Sequence, residues 1–218
     1  MRNRLVIIII GLVTIGLLGA LIVFKPYLMG AKTTANPQSL QALLHEAQSL
    51  ESKGDFLALK AVYQKLINDF SNHKDVSLWQ KNLDELNLKI IFSPLIVPAV
   101  SQEYEIQPLD TLTKIARQFD TTVELLKKSN NLSSDRITPG HKLKVWTGRF
   151  SLLIDKSQNI LILKSNEEII KTYNVATGTN NSTPTGTFKI VNKLLNPTWF
   201  KAGAVVPPES PENILGTR

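Results

Sequence analysis

Cysteine, the side chain that would supply a thiolate nucleophile or a thiolate metal ligand, is absent from the 218 residues. Disulfides, zinc-thiolate sites and lipid attachment through a lipobox cysteine are excluded with it. The histidines, His45, His73 and His141, lie in unrelated segments. No histidine spacing therefore supports a metal site, and surface or half-buried roles are expected for all three. Ser151, Ser165 and Ser182 have no histidine beside them, and no Gly-x-Ser-x-Gly turn exists to expose a serine nucleophile. No catalytic residue, cofactor or metal is assigned on this basis.

The formal charge of +7 is divided as +3 over residues 1–29, zero over 30–100 and +4 over 101–218, with no basic block. A nucleic-acid groove needs clustered Lys and Arg to displace counterions from phosphates, so this class of partner is excluded. From Leu5 to Phe24 the chain carries no charge. That length of helix covers a bilayer core of roughly 30 Å, and Arg2 and Arg4 ahead of it favour an N-terminus inside. A single-pass membrane helix is expected, uncleaved in preference to a signal peptide because Leu28-Met29-Gly30-Ala31 is a poor cleavage site. Residues after about 25 are then outside the cytoplasm, in the periplasm or cell wall.

Three helices follow. Leu40, Leu43, Leu44, Ala47 and Leu50 recur at helix period, Gly54-Asp55 ends that helix and caps the next, and Phe56, Leu59, Tyr63, Leu66 and Phe70 share one side of the second. Val76, Trp79, Leu83, Leu86 and Ile90 repeat the pattern. Lys53-Gly54-Asp55-Phe56 with Tyr63 and Leu66 resembles one tetratricopeptide hairpin, a protein-interaction repeat; a spacer packed on itself, or a dimerising segment, fits the same pattern. Pro94 and Pro98 then break the helix into an extended linker.

Between Tyr104 and Val145 the residues describe a βααβ unit. Tyr104 and Ile106 alternate as a strand does, Asp110 is placed to cap a helix facing inward through Leu112, Ile115, Ala116 and Phe119, and Thr121 with Glu124 forms a capping box for the second helix. Pro139-Gly140 turns the chain into the strand from Lys142 to Val145. In order, Tyr104 to Leu112, Ile115 to Phe119, Leu125-Leu126, Asn130-Asn131-Leu132, Ile137 to Gly140 and Leu143-Lys144-Val145 closely resemble a lysin motif. The resemblance implies binding of the N-acetylglucosamine-containing glycan of peptidoglycan or chitin. It implies a shallow groove with Asp110, Thr111 and Leu112 on one wall and Asn131, Leu132, Ile137 and Pro139 on the other. Caps and turns explain several of these residues equally well. One departure is Leu109, where the family usually has glycine; if that position needs positive φ, the first loop is strained.

From Arg149 the period changes to two, with strands over 150–155, 159–164, 169–176 and 187–195 expected as an antiparallel meander. Leu153-Ile154-Asp155, Tyr173 to Gly178, Thr183-Pro184-Thr185-Gly186-Thr187-Phe188, Asn196-Pro197-Thr198-Trp199 and Asn213 to Arg218 resemble the start of an L,D-transpeptidase catalytic domain. That family transfers acyl groups from a peptidoglycan stem tetrapeptide through a cysteine thiolate supported by histidine. Its His-Gly and Ser-His-Gly-Cys-x-Arg segments do not occur among the 218 residues, so the catalytic domain is expected to be incomplete and this chain inactive.

The expected architecture is multi-domain α+β: a transmembrane anchor over 1–30, a tetratricopeptide-like helical spacer over 38–92, a linker over 93–102, a βααβ lysin motif over 103–146, and the N-terminal part of an antiparallel β catalytic domain over 149–218. Expected partners are peptidoglycan glycan strands and stem peptides, the membrane through the first helix, and a protein through the helical segment. The alternative is a non-catalytic, membrane-anchored glycan-binding module.

Overall fold

The computed structural model describes residues 6–10, 36–191, 194 and 196–213. The expected transmembrane helix is corrected. Val6–Ile10 forms a strand, β1, and among the described residues no helix is long and apolar enough to cross a membrane. Val6 and the four isoleucines after it are all β-branched, a composition that favours extended backbone over helix. The remainder of the expected anchor, and the polar spacer as far as residue 35, lie outside the described residues.

The helices α1 (Pro37–Lys53), α2 (Phe56–Asp69) and α3 (Val76–Ile91) begin and end on local chemistry. Asn36 accepts the Gln38 N–H at 3.0 Å ahead of Pro37. Gly54 closes α1 at φ +70°, a conformation glycine adopts without a Cβ penalty. Asp55 then accepts the Ala58 N–H at 3.2 Å to start α2. Leu43, Ala47, Leu59, Leu66, Trp79, Leu83 and Ile90 close a core among the three helices.

The chain continues through β2 (Ser101–Glu105), α4 (Leu112–Gln118), α5 (Val123–Ser129) and β3 (Lys142–Trp146), with β2 and β3 paired antiparallel. Ile106, Leu112, Ile115, Leu126, Leu143 and Val145 fill this small unit. Beyond it, β4 (Phe150–Asp155), β5 (Ile160–Ser165) and β6 (Glu168–Asn174) form the expected antiparallel meander. The next strand, β7 (Gly186–Lys189), does not continue the meander. The sheet order is β6-β5-β4-β1-β7, with β1 parallel to β4 and antiparallel to β7. A separate hairpin, β8 (Trp199–Lys201) with β9 (Ala204–Val206), was not expected from the periodicity. It is tied by Asn213, whose side-chain amide donates to the carbonyls of Pro197 and Pro207, each at 3.0 Å.

A third core joins the parts. Ile91 from α3, Trp146 from β3 and Ile170 from β6 are all buried against one another, with Leu88, Val97, Val100, Leu125, Phe150 and Leu163 around them. Trp146 donates its indole N–H to Ser165 Oγ at 3.2 Å. Gly148 permits that bond, since a Cβ there would lie 2.5 Å from Ser165 Oγ and 2.8 Å from the indole nitrogen.

Polar contacts surround the same junction. On α3, Asp84 accepts the Thr172 N–H of β6 at 3.1 Å and Asn87 donates to the Ile170 carbonyl at 3.1 Å. Lys60 of α2 pairs with Glu168 at the start of β6, at 2.5 Å. An exposed strand edge presents unpaired N–H and C=O groups, and here α3 supplies side-chain partners for β6. Lys144 of β3, 3% exposed, donates to the carbonyls of Ile90 at 2.6 Å and Ser93 at 2.8 Å where α3 ends. The last carbonyls of a helix lack intrahelical partners and carry the negative end of its dipole, so they suit the N–H donors of a lysine.

Burial pushes Lys144 down from 10.5 to about 8. Its folded value is thus below its unfolded one, so the unfolded chain binds more protons between about pH 8 and 10.5 and this group's contribution to stability rises with pH across that window. Lys144→Met removes the side-chain donor to the Ile90 and Ser93 carbonyls and is expected to lower stability by about 1–3 kcal/mol. Urea unfolding at several pH values checks both points: wild type should gain on the variant from pH 8 to 10.5, and a constant difference would contradict the assignment.

Candidate functional site

Two loops of the βααβ unit carry the expected groove residues, and the first departs from expectation in how it is held. Thr111, at extended φ/ψ, caps α4 by accepting the Lys114 N–H at 3.1 Å. Asp110 does not cap that helix. Its carboxylate turns back to accept Tyr104 Oη at 2.7 Å and the Gln107 N–H at 2.8 Å, and pairs with Lys114 at 3.2 Å. The Tyr104 phenol, helped by the Gln107 N–H and Lys114, holds the Asp110 carboxyl below the ordinary carboxylate range. With a side chain only 2% exposed, Asp110 braces the loop from within. Leu112 is buried in the unit's core, while Thr111 is exposed.

Leu109, between Gln107 and Asp110 in the same turn, has φ +67° and is 92% exposed. The backbone conformation is therefore the one glycine suits, held here with a leucine by the bonds Asp110 makes to both flanks of the turn.

The second loop starts at α5. Its cap is Thr122, which accepts the Leu125 N–H at 3.1 Å, in place of the expected Thr121. Asn130 joins this loop to β3: its side chain accepts the Lys144 N–H at 2.7 Å and donates to the Lys144 carbonyl at 2.8 Å, copying a strand partner. Asn131 follows at φ +54°, exposed, with Leu132 and Ile137 half-buried behind it and Pro139 exposed. Leu132 and Ile137, with Ile106 and Leu143, line a cleft of about 330 Å³ whose rim carries Arg136, His141 and Lys142, with Pro94 of the linker forming part of the wall. Asn131 and Leu132 also face a second, more open depression beside Lys127, Glu124 and Asp135.

Of the seven residues assigned to a glycan groove, the structure thus gathers Asn131, Leu132 and Ile137 along concave surface. Asp110, Thr111, Leu112 and Pro139 line neither depression. Leucine and isoleucine edges beside amide and backbone donors suit the apolar face and the acetamido groups of an amino sugar. Among the described residues no group of His, Asp and Glu is arranged to hold a metal.

On the sheet, the loop after β6 is fixed by its own polar groups. Thr183 Oγ1 accepts the Gly178 N–H at 2.7 Å, Thr177 Oγ1 donates to Asn159 Oδ1 at 2.9 Å, and Lys156 donates to the Thr183 carbonyl. Pro184 and Thr185 stand exposed at the loop's end, before β7.

Sequence reasoning missed Lys144, Asp84, Asn87 and the Tyr104–Asp110 bond. A signal for the first existed in Leu143-Lys144-Val145-Trp146, where a lone lysine interrupts an apolar strand. A signal for the helix pair was the spacing 84, 87, 91, a second stripe beside 79, 83, 86, 90.

Comparison with known proteins agrees with this division of the chain. The family model of the LysM domain matches residues 104–146, and that of the L,D-transpeptidase catalytic domain matches residues 149–216. Putative L,D-transpeptidase YkuD of Bacillus subtilis (strain 168) is 29% identical over 101 residues, 43% of this chain and 62% of the relative. Cell wall-binding protein YocH of the same organism is 40% identical over 79 residues, 34% of this chain and 26% of the relative. Probable endopeptidase p60 of Listeria welshimeri is 61% identical over 36 residues, 16% of this chain and 7% of the relative. The chain spans less than two thirds of the length of each of these relatives.

If the first loop is strained as its geometry implies, Leu109→Gly removes a side chain from left-handed backbone and should stabilise the chain by about 1 kcal/mol. Thermal unfolding checks this; a lowered melting temperature would contradict it.

Proposed function

We propose that this chain is a cell-wall-associated protein of the L,D-transpeptidase family, in which the LysM domain holds peptidoglycan glycan and the sheet receives the stem peptide attached to it. The observation that carries the reading is the direct succession of the two matched domains, residues 104–146 and 149–216, on a shared core. The relatives support it as well: one is named a cell wall-binding protein and another a putative L,D-transpeptidase.

Glycan contacts come from the cleft of Leu132 and Ile137 and from Asn131 in the neighbouring depression, with Asp110 and Thr111 setting the shape of the first loop. Acyl transfer in the family proceeds through a cysteine thiolate. No cysteine is present among these 218 residues, so they bind and present substrate without cleaving it.

Cosedimentation with purified cell-wall sacculi tests this. The chain should pellet with sacculi, Asn131→Ala combined with Ile137→Ser should weaken binding about tenfold, the loss of roughly 1.4 kcal/mol, and no D-alanine should be released from tetrapeptide stems. Failure to pellet, or release of D-alanine, would overturn the proposal.

A further inference from the structure

Resting on that reading, we propose that α3 is a rigid joint that holds the glycan-binding LysM domain and the peptide-receiving sheet at one fixed separation, so that the preferred ligand is a glycan strand with its stem peptides attached and not free peptide or bare glycan.

The joint is built from side chains of all three parts. Lys144, from the strand next to the glycan cleft, reaches the carbonyls of Ile90 and Ser93 at the end of α3. One and two turns earlier on the same helix, Asn87 and Asp84 hold the backbone of β6 through Ile170 and Thr172. Ile91, Trp146 and Ile170 fill the space between these polar contacts. Asp84, Asn87 and Lys144 are 6%, 3% and 3% exposed. Buried polar groups with several fixed partners resist sliding, because any shift leaves donors and acceptors unpaired away from water.

A flexible linker would behave differently. Domains joined by loose chain sample many separations, whereas the linker here is itself pinned. Ser101 Oγ accepts the Val97 N–H at 2.6 Å. Val97 and Val100 pack on the shared core. Asn130, which bonds both backbone groups of Lys144 and lines the cleft, carries the same restraint to its neighbour Asn131. A glycan gripped by the LysM domain therefore presents its peptide at a set distance from the loop over Thr177 to Gly186, and the second contact becomes intramolecular. Lys144, Asp84 and Asn87 are positioning residues in this account; none touches the ligand.

The test compares three probes on the full chain: peptidoglycan strands stripped of peptide, the same strands carrying tetrapeptides, and free tetrapeptide. The linked strand should bind at least about 100-fold tighter than the bare one. In Lys144→Met combined with Asp84→Leu, that gain should fall below about threefold while affinity for the bare strand stays within about twofold of wild type. A linked strand that binds no tighter, or a variant that retains the gain, overturns the joint. Spin labels at Gln118→Cys and Gln158→Cys, placed in a chain with no other cysteine, report the joint without any ligand. Wild type should give one narrow distance distribution and the variant a broad one, whereas a broad distribution in wild type overturns the proposal. Loss of all binding to bare strands would instead overturn the glycan reading and leave the distance result standing.

Discussion

The ammonium of Lys144 sits beneath the last turn of α3 with backbone carbonyls as its partners, and both neighbouring parts depend on that placement. A lysine moved from water into an interior is unfavourable unless its donors are used. Here they are used on the carbonyls of Ile90, Ile91 and Ser93 where the helix ends, although burial still disfavours the charged form. The same strand turns Trp146 toward Ile91 and Ile170. A helix terminus, a βααβ unit and a sheet edge become neighbours for one electrostatic and one apolar reason.

The sheet shows why that matters. Its β6 edge receives side-chain hydrogen bonds from Asp84 and Asn87, while at the other edge β7 pairs only with β1. Phe188 within that pairing, and Ile190 and Val191 beyond it, remain exposed. The guarded edge is therefore the one packed on α3, and the loop next to it is braced by Thr183, Asn159 and Lys156.

Much of this was legible in the residues. Helix caps at Gly54 and Asp55, the inward face Leu112, Ile115 and Ala116, and the first three strands of the sheet follow from local spacing, which depends on near neighbours in sequence. What was not legible depends on distant ones. Leu5 to Phe24 satisfies the hydropathy rule for a membrane helix, yet the β-branched residues Val6 to Ile10 within it also suit a strand, and pairing with β4 and β7 is what they adopt. Asp84 and Asn87 look like the solvent face of an amphipathic helix until a strand edge is placed against them. Asp110 looks like a cap, and capping passes to Thr111 because Tyr104 draws the carboxylate inward. At the candidate site, Asn131, Leu132 and Ile137 were legible as loop residues of a recognisable motif, whereas the contribution of Pro94 to the cleft wall requires the folded linker.

The central claim is that the helices, the LysM domain and the sheet fold and open as one body. Native-state hydrogen exchange on the full chain addresses it most directly. Slowly exchanging amides in α3, β3 and β6, including that of Thr172, should share one opening free energy and lose it together under mild denaturant. Three separate opening free energies, one for each part, would contradict the account.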